Sequence, residues 1–302
     1  MSFLSTWLPF GSVRAAGGDR RRALEQGPIE SIDALERAAT FLGHQRESEG
    51  ALPVVTAQLD GAVSSCRGRG YARYDEDAAA LFADARGWLH GVVLDQAGGL
   101  GGHVRGEASA LGAKLVAEAQ RAIARAGVHD ADELRARLED TYRQIHARLL
   151  ARAQGEVVTC VTAIVADDRA HLVVTGDSAA MAFDAEGRIK DHTVLQEAGP
   201  PNAGCLAHAL GLVPEGLKID HYTWALAPGD WLVLASDGLL DAGLEHAEIG
   251  ALLAEGKSAE EAANRLATTV LRRMSTFRAK PDNLTLLLVR RAGGAAPKAT
   301  RG

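Results

Sequence analysis

The chain has 302 residues, a formal net charge of −6, 24% charged residues and 47% hydrophobic residues. These are ordinary globular values that exclude a wholly disordered chain, and 33 glycines against 9 prolines exclude a collagen-like one. No apolar run reaches the roughly 18 residues that cross a bilayer, and the mild acidity argues against a nucleic-acid partner.

The two ends of the chain differ in pattern from its middle. Residues 1–50 are interpreted as a partly disordered extension, with a short helix whose apolar side runs from Ile29 to Phe41. No basic residue precedes the first apolar stretch, so we expect no signal peptide. Residues 293–302 are rich in glycine and alanine and predict a disordered tail, which leaves residues 51–292 as a single domain.

Strand and helix signals alternate within that domain. An apolar run at 88–94 predicts a buried strand that ends at Asp95, and spacing of three and four residues predicts a helix at 107–126. Asp130 or Asp132 would cap a second long helix. Later segments predict strands at 157–166, 171–177, 179–183, 221–226, 231–236 and 284–290, and a helix at 259–275. Two long helices followed by a strand meander predict an α+β fold with antiparallel pairing.

Acidic residues stand where several of these strands begin or end. Asp95, Asp177 and Asp237 each end an apolar run, Asp282 precedes one, and Asp77 lies in an acidic segment before another. Any one of them is typical of a turn. Together they would repel, since two carboxylates about 4 Å apart cost about 4 kcal/mol at an effective dielectric of about 20. If they converge, they need protons or hard cations such as Mg²⁺ or Mn²⁺.

Five motifs in one order resemble the metal-dependent protein phosphatases of type 2C, in their bacterial form. The most specific is LAPGDWLVLASDGLLD at 226–241, with its Ser-Asp-Gly segment. The other four are Glu76-Asp77-Ala78, the glycine-rich segment 92–109, Gly176-Asp177-Ser178 and Asp282-Asn283-Leu284-Thr285. The resemblance covers residues 54 to 291, most of the chain.

The resemblance implies two stacked antiparallel β-sheets flanked by helices, and a centre of two Mn²⁺ or Mg²⁺ ions at one edge. Asp95 would bridge both metals, and Asp237 and Asp282 would hold the first. Either three residues are inserted after Asp95, or the motif aligns without a gap and Gly98 takes the place of the bridging Asp. We favour the insertion, because the predicted strand then ends at the Asp.

Further metal ligands are implied by the same resemblance. Asp77, with Glu76, would serve the second metal, and Asp177 a third, weaker one. Gln96 follows the bridging Asp and would offer its backbone carbonyl where the family has a glycine. Its Cβ forbids conformations that glycine reaches easily, so this ligand is expected to bind weakly.

Other residues would act on the substrate. His103 in the glycine-rich segment is a candidate proton donor, or a structural histidine bonded to its loop. Arg73, or alternatively Arg69 or Arg67, would hold phosphate, although each is equally explained as a surface charge. The segment after Asp191-His192-Thr193 is about a dozen residues shorter than in bacterial members.

The resemblance therefore implies hydrolysis of phosphoserine or phosphothreonine in proteins by a metal-activated water, with a Ser/Thr kinase as the opposing enzyme. The alternative is a pseudophosphatase that binds a phosphoprotein or regulatory partner with little turnover, which the altered Asp95-Gln96 segment suggests. Three widely spaced cysteines without a disulfide or zinc pattern favour a reducing, cytoplasmic setting.

Overall fold

The computed structural model describes residues 40–43, 47–48, 50–68, 74–97, 106–200, 205–212 and 216–293. Most of the predicted extension, the start of its helix at Ile29 and the tail after residue 293 lie outside the described residues. Among the described helices, none combines the length and the apolar character that crossing a bilayer requires.

Twelve strands and five helices make up the described fold. The strands are β1 (Thr40–Leu42), β2 (Leu52–Val55), β3 (Leu59–Cys66), β4 (Ala78–Ala83), β5 (Leu89–Ala97), β6 (Val157–Ala166), β7 (Arg169–Thr175), β8 (Ala179–Phe183), β9 (Ile189–His192), β10 (Asp220–Ala225), β11 (Trp231–Ala235) and β12 (Leu284–Arg291). The helices are α1 (Glu107–Arg125), α2 (Ala131–Arg152), α3 (Gly238–Asp241), α4 (His246–Glu255) and α5 (Ala259–Ser275).

The strands form two antiparallel sheets of six. The first has the order β1-β4-β5-β6-β7-β10, and the second has the order β2-β3-β12-β11-β8-β9. One apolar cluster, which includes Val93, Val161 and Leu287, fills the space between the sheets. A second cluster packs α1 and α2 on the first sheet, and a third packs α3, α4 and α5 on the second. The predicted α-β-β-α sandwich is confirmed.

Helix α2 shows how local sequence sets an element boundary. Asp130 is its N-cap, and its side chain accepts a hydrogen bond from the Glu133 amide at 2.9 Å. The cap satisfies one of the amides that a helix start leaves without a partner. Of the two predicted capping residues, Asp130 is therefore the one used.

Two predicted elements differ from the structure. Strand β5 continues past Asp95 to Ala97, because β6 begins at Val157 and extends the pairing, with Asp95 opposite Thr159. Phe41, expected at the end of a helix, lies in β1, which pairs with β4 and buries the ring in the core beneath α1. The first sheet thus includes residues that the sequence assigned to the extension.

Candidate metal centre

The topology brings the predicted acidic residues to one edge of the sandwich. Ala78 pairs with Leu94 in the first sheet, so the next residues outward, Asp77 and Asp95, lie at the same end. In the second sheet β11 and β12 are antiparallel neighbours. Asp237 follows β11 and Asp282 precedes β12, which also places these two residues at one end.

Electrostatics shows that these carboxyl groups face one another. Burial, followed by the charges of Asp77 and Asp237, raises the pKa of Asp95 well above its ordinary value. Asp95 and Asp237 each affect the pKa of the other, which places their carboxyl groups close together. Burial and then Asp282 and Asp177 raise the pKa of Asp237 to about 7. Without a cation, the cluster keeps protons that isolated aspartates would lose at neutral pH.

The two carboxylate oxygens of Asp77 differ in their hydrogen bonding. The Ser236 hydroxyl donates to Asp77 Oδ2 at 2.7 Å, and the Thr285 amide donates to Ser236 Oγ at 3.0 Å. Among the described residues, Asp77 Oδ1 is a buried oxygen without a hydrogen-bond partner. Burial and the nearby Asp75 raise the pKa of Asp77 well above its usual range. A buried, fixed carboxylate oxygen with no donor suits a hard cation.

Asp75, which the sequence did not single out as a ligand, shapes the turn before β4. Its Oδ1 accepts from the Asp77 amide at 3.2 Å, and its Oδ2 accepts from the Ser65 hydroxyl at 2.9 Å. Burial raises its pKa to about 6. Ser65 also contacts Thr285 through their hydroxyls at 2.7 Å. This chain of hydrogen bonds joins the two sheets beneath the acidic rim.

Glu76 faces the same rim from the middle of that turn. Burial, then Asp282 and Asp75, raises its pKa to about 7. Asn283 fixes its backbone, because Asn283 Oδ1 accepts from the Glu76 amide at 2.9 Å and the Asn283 amide group donates to the Tyr74 carbonyl at 3.2 Å. The asparagine of the Asp-Asn motif therefore positions the acidic turn opposite Asp282.

Two further charged residues join the cluster and were not predicted. Oxygens of Asp237, Asp241 and Asp282 all lie within 4.8 Å of one another, a spacing that could hold a metal ion. Asp241 lies one turn after Asp237 along α3, so the i, i+4 spacing was the available signal. The Lys280 ammonium lies 2.5 Å from Asp241 Oδ2 and 2.8 Å from Asp282 Oδ2.

Close backbone approach explains two glycines of the motifs. A Cβ on Gly238 would lie 1.9 Å from the Asn283 carbonyl oxygen. Gly106, with φ of +68°, would place a Cβ 2.6 Å from the Asp75 carbonyl oxygen. Glycine at these positions lets α3 and α1 start directly against the two acidic segments.

Asp177 lies beside the cluster on the turn after β7. Burial and then Glu197 and Asp241 raise its pKa. The turn is braced because the Gly176 amide donates to Gln196 Oε1 at 3.0 Å. Asp177 in turn raises the pKa of Asp237, which places it within electrostatic reach of the centre.

Gln96 has a role that the sequence did not show. Its side chain is buried, and Oε1 accepts from the amides of Ala108 at 2.9 Å and Ser109 at 3.4 Å. The N-cap of α1 is Gly106, which has no side chain to do this. Gln96 therefore caps α1 from the neighbouring strand, and metal binding by its backbone carbonyl stays a prediction.

The remaining predicted residues cannot be placed in the centre. Arg69, Arg73, Gly98 and His103 lie outside the described residues, so their roles stay predictions. Arg67, the third arginine considered for phosphate, is exposed and pairs with Glu47 through Nε and Oε1.

Comparison with known proteins agrees with this architecture. The model of the family "Stage II sporulation protein E (SpoIIE)" matches residues 91–292, and because this is more than half of the chain, the chain belongs to the SpoIIE family. Its fold is that of the type 2C protein phosphatases, as the motifs predicted. No curated protein sequence matched the chain.

Solved structures of bacterial phosphatases share the fold at low identity. A serine/threonine phosphatase of S. agalactiae has a TM-score of 0.65 and 19% identity, over 77% of this chain and 99% of that chain. The Mycobacterium tuberculosis serine/threonine phosphatase PstP/Ppp has a TM-score of 0.60 and 23% identity, over 78% and 99%. RsbX in complex with magnesium has a TM-score of 0.55 and 18% identity, over 80% and 100%.

Proposed function

We propose that the protein is a metal-dependent phosphatase that hydrolyses phosphoserine or phosphothreonine in proteins. The observation that carries this proposal is the convergence of four buried or half-buried carboxyl groups from both sheets, Asp77, Asp95, Asp237 and Asp282. Without a cation, repulsion and burial of these carboxylates would lower the stability of the fold. This cost favours a role in binding cations.

The residues present fit two Mn²⁺ or Mg²⁺ ions. Asp95 would bridge them, Asp237 and Asp282 would hold the first, and Asp77 with Glu76 would serve the second. The unpartnered Oδ1 of Asp77 supports this assignment. Asp177 and Asp241 would serve a third, weaker site. When bound, such ions acidify a water molecule and offset charge on the phosphoryl oxygens.

The cysteines support direct attack by water over a covalent cysteine intermediate. Burial raises the pKa of the Cys66 thiol to about 11 and that of Cys160 to about 12. Both therefore stay protonated and unreactive at neutral pH. The proposal includes phosphoprotein substrates, an opposing Ser/Thr kinase and a cytoplasmic setting, which the free cysteines favour.

The test is Mn²⁺-dependent hydrolysis of a phosphothreonine peptide by the wild type, Asp95→Asn and Asp237→Asn. We expect EDTA to abolish turnover and each substitution to lower kcat by at least about 100-fold, because each removes charge that offsets the phosphoryl group. Asp168→Asn is the matched control, since Asp168 is exposed and pairs loosely with Arg169 at 3.8 Å.

Two results would contradict parts of the proposal. Full turnover by folded Asp95→Asn would mean that the alignment without a gap, with Gly98 in the bridging place, is correct. A folded wild type that binds Mn²⁺ but shows no turnover on phosphopeptides would favour the pseudophosphatase.

A further inference from the structure

Lys280 is a cation inside the acidic cluster. Its ammonium contacts Asp241 Oδ2 at 2.5 Å and Asp282 Oδ2 at 2.8 Å, while its side chain is 57% exposed against 14% for Asp282. Partial burial alone would lower the pKa of Lys280, but the two carboxylates raise it well above its usual value. Lysine is charged at neutral pH, and the two carboxylates favour that charged form.

The ammonium lies where a divalent cation would bind. Asp241 and Asp282, which it contacts, are two of the three residues whose oxygens lie within 4.8 Å of one another. Asp237, the third, also raises the pKa of Lys280 by its charge. A carboxylate can hold an ammonium and a metal ion on its two oxygens, but at this short distance the two positive charges repel. Each cation therefore weakens the binding of the other.

The covalent attachment of Lys280 makes this competition local. Lys280 is two residues before Asp282, and Pro281 between them restricts the backbone. A short tether gives the ammonium a high effective concentration at the carboxylates. The exposed stem lets the ammonium leave into water when a metal arrives, without disturbing the core.

We propose that Lys280 is a tethered cation that competes with a divalent metal for the carboxylates of Asp241 and Asp282. The inference depends on the metal centre of the proposed function. In the metal-free protein the lysine offsets part of the carboxylate repulsion. The charge of the lysine opposes metal binding, so the lysine lowers the affinity of the centre and raises the metal concentration at which the centre fills.

The experiment is calorimetric titration of Mn²⁺ into the metal-free full-length chain, with wild type beside Lys280→Met and Lys280→Arg. Loss of the ammonium in Lys280→Met should tighten Mn²⁺ binding by about threefold to fivefold, since an exposed ion pair contributes up to about 1 kcal/mol. Lys280→Arg keeps the charge and should stay within about twofold of wild type.

The matched control is Lys190→Met. Lys190 makes a comparable ion pair with Asp230 at 2.5 Å, but at the opposite end of β11 from Asp237. Its removal should leave Mn²⁺ affinity unchanged. Thermal unfolding in EDTA gives a second readout, in which Lys280→Met should have a lower Tm than wild type. Lys280→Gln, a polar replacement, should behave as Lys280→Met does.

The outcomes separate this inference from the proposed function. Mn²⁺ binding by wild type that is equal or weaker in folded Lys280→Met and Lys280→Gln would overturn the inference alone. Binding by Lys280→Met but not by wild type would support it strongly. An absence of Mn²⁺ binding in wild type and both variants would overturn the inference together with the metal centre.

Discussion

Strand β4 lies between two aspartates with largely covered side chains, the buried Asp77 and the half-buried Asp84, and the contacts of the two differ. Asp84 follows the strand, and its carboxylate accepts hydrogen bonds from Arg86 Nη2 at 2.6 Å and from the Trp88 amide at 3.1 Å, and it contacts His90 Nε2 at 3.1 Å. Burial alone would raise the pKa of Asp84, but these hydrogen bonds hold it well below its ordinary value.

Asp77 precedes the same strand and has no cationic neighbour of this kind among the residues described. Ser236 satisfies one of its oxygens, and the charges that act on it come from Asp75 and Asp237. Burial alone therefore does not decide the role of an aspartate. The chain supplies its own cation at Asp84, whereas at Asp77 one buried oxygen has no hydrogen-bond partner among the described residues, and the proposed function assigns that oxygen to a metal ion.

The largest expected effect comes from exchanging each aspartate for asparagine and measuring stability in EDTA. Asp84→Asn should lower the free energy of unfolding by about 3 kcal/mol, because it leaves the Arg86 guanidinium without its charge partner. The side chain of Arg86 is 21% exposed and that of Asp84 is 5% exposed. Asp77→Asn should instead raise the metal-free stability by about 1 kcal/mol, because it removes repulsion. Urea unfolding measures both values.

Asp168→Asn serves again as the exposed control and should shift stability by less than about 0.5 kcal/mol. A loss of stability of similar size in both Asp84→Asn and Asp77→Asn would contradict the comparison, since it would make Asp77 a structural residue as well.

The sequence was sufficient for the features that follow from local pattern. Apolar spacing predicted α1, α2 and α5, and the meander predicted antiparallel sheets. The position of Asp95 and Asp237 beside apolar runs made them candidate ligands, and the family resemblance implied that they would meet at one edge. In each case the hydrophobic pattern of a short continuous segment is enough to predict the element.

The features that the sequence missed depend on partners in other secondary-structure elements. Lys280 has no special pattern around it and becomes notable only because α3 brings Asp241 beside it. Asp75 is explained by Ser65, which belongs to the other sheet. Gln96 caps a helix whose start lies about ten residues later. Such contacts are set by tertiary packing, and no local periodicity reports them.

A smaller effect is expected in the pH dependence of the free energy of unfolding, measured in EDTA. The pKa values of Asp237 and Glu76 are about 7 in the folded protein, against ordinary values of 3.8 and 4.5. Between about pH 4 and pH 7 the folded state therefore binds more protons than the unfolded state. The free energy of unfolding should fall by at least about 2 kcal/mol as the pH rises through this window, because each unit of pKa shift corresponds to about 1.4 kcal/mol.

Asp84 has the opposite sign, because its lowered pKa contributes stability that is lost as the pH falls below about 4. The contribution of the rim to metal-free stability should thus be greatest near pH 4 to 5. His90, His171 and His221 have lowered pKa values that act in the opposite direction, so urea unfolding at each pH compares wild type with Asp237→Asn, which share these histidines. Mn²⁺ at pH 8 should restore the lost stability, and Asp237→Asn should flatten the slope. An equal pH slope in wild type and folded Asp237→Asn would contradict the repulsive rim.

The smallest expected effect concerns Gln96, whose side chain caps α1 and whose backbone carbonyl was predicted to bind the second metal. Gln96→Leu removes the acceptor for the buried amides of Ala108 and Ser109 and should lower the free energy of unfolding by about 1 kcal/mol, as loss of a helix cap does. Gln144→Leu, on the exposed face of α2, should change stability by less than about 0.5 kcal/mol.

The same variant separates the side chain of Gln96 from its backbone. Leucine keeps the carbonyl that was predicted to face the second metal, so Mn²⁺ affinity measured by calorimetry should change by less than about threefold. A large loss of affinity with little loss of stability would reverse the assignment and make the amide group part of the metal centre. Because Gln96 directly follows Asp95 and its side chain anchors α1, the expected result would show that structural and functional side chains alternate along a single strand.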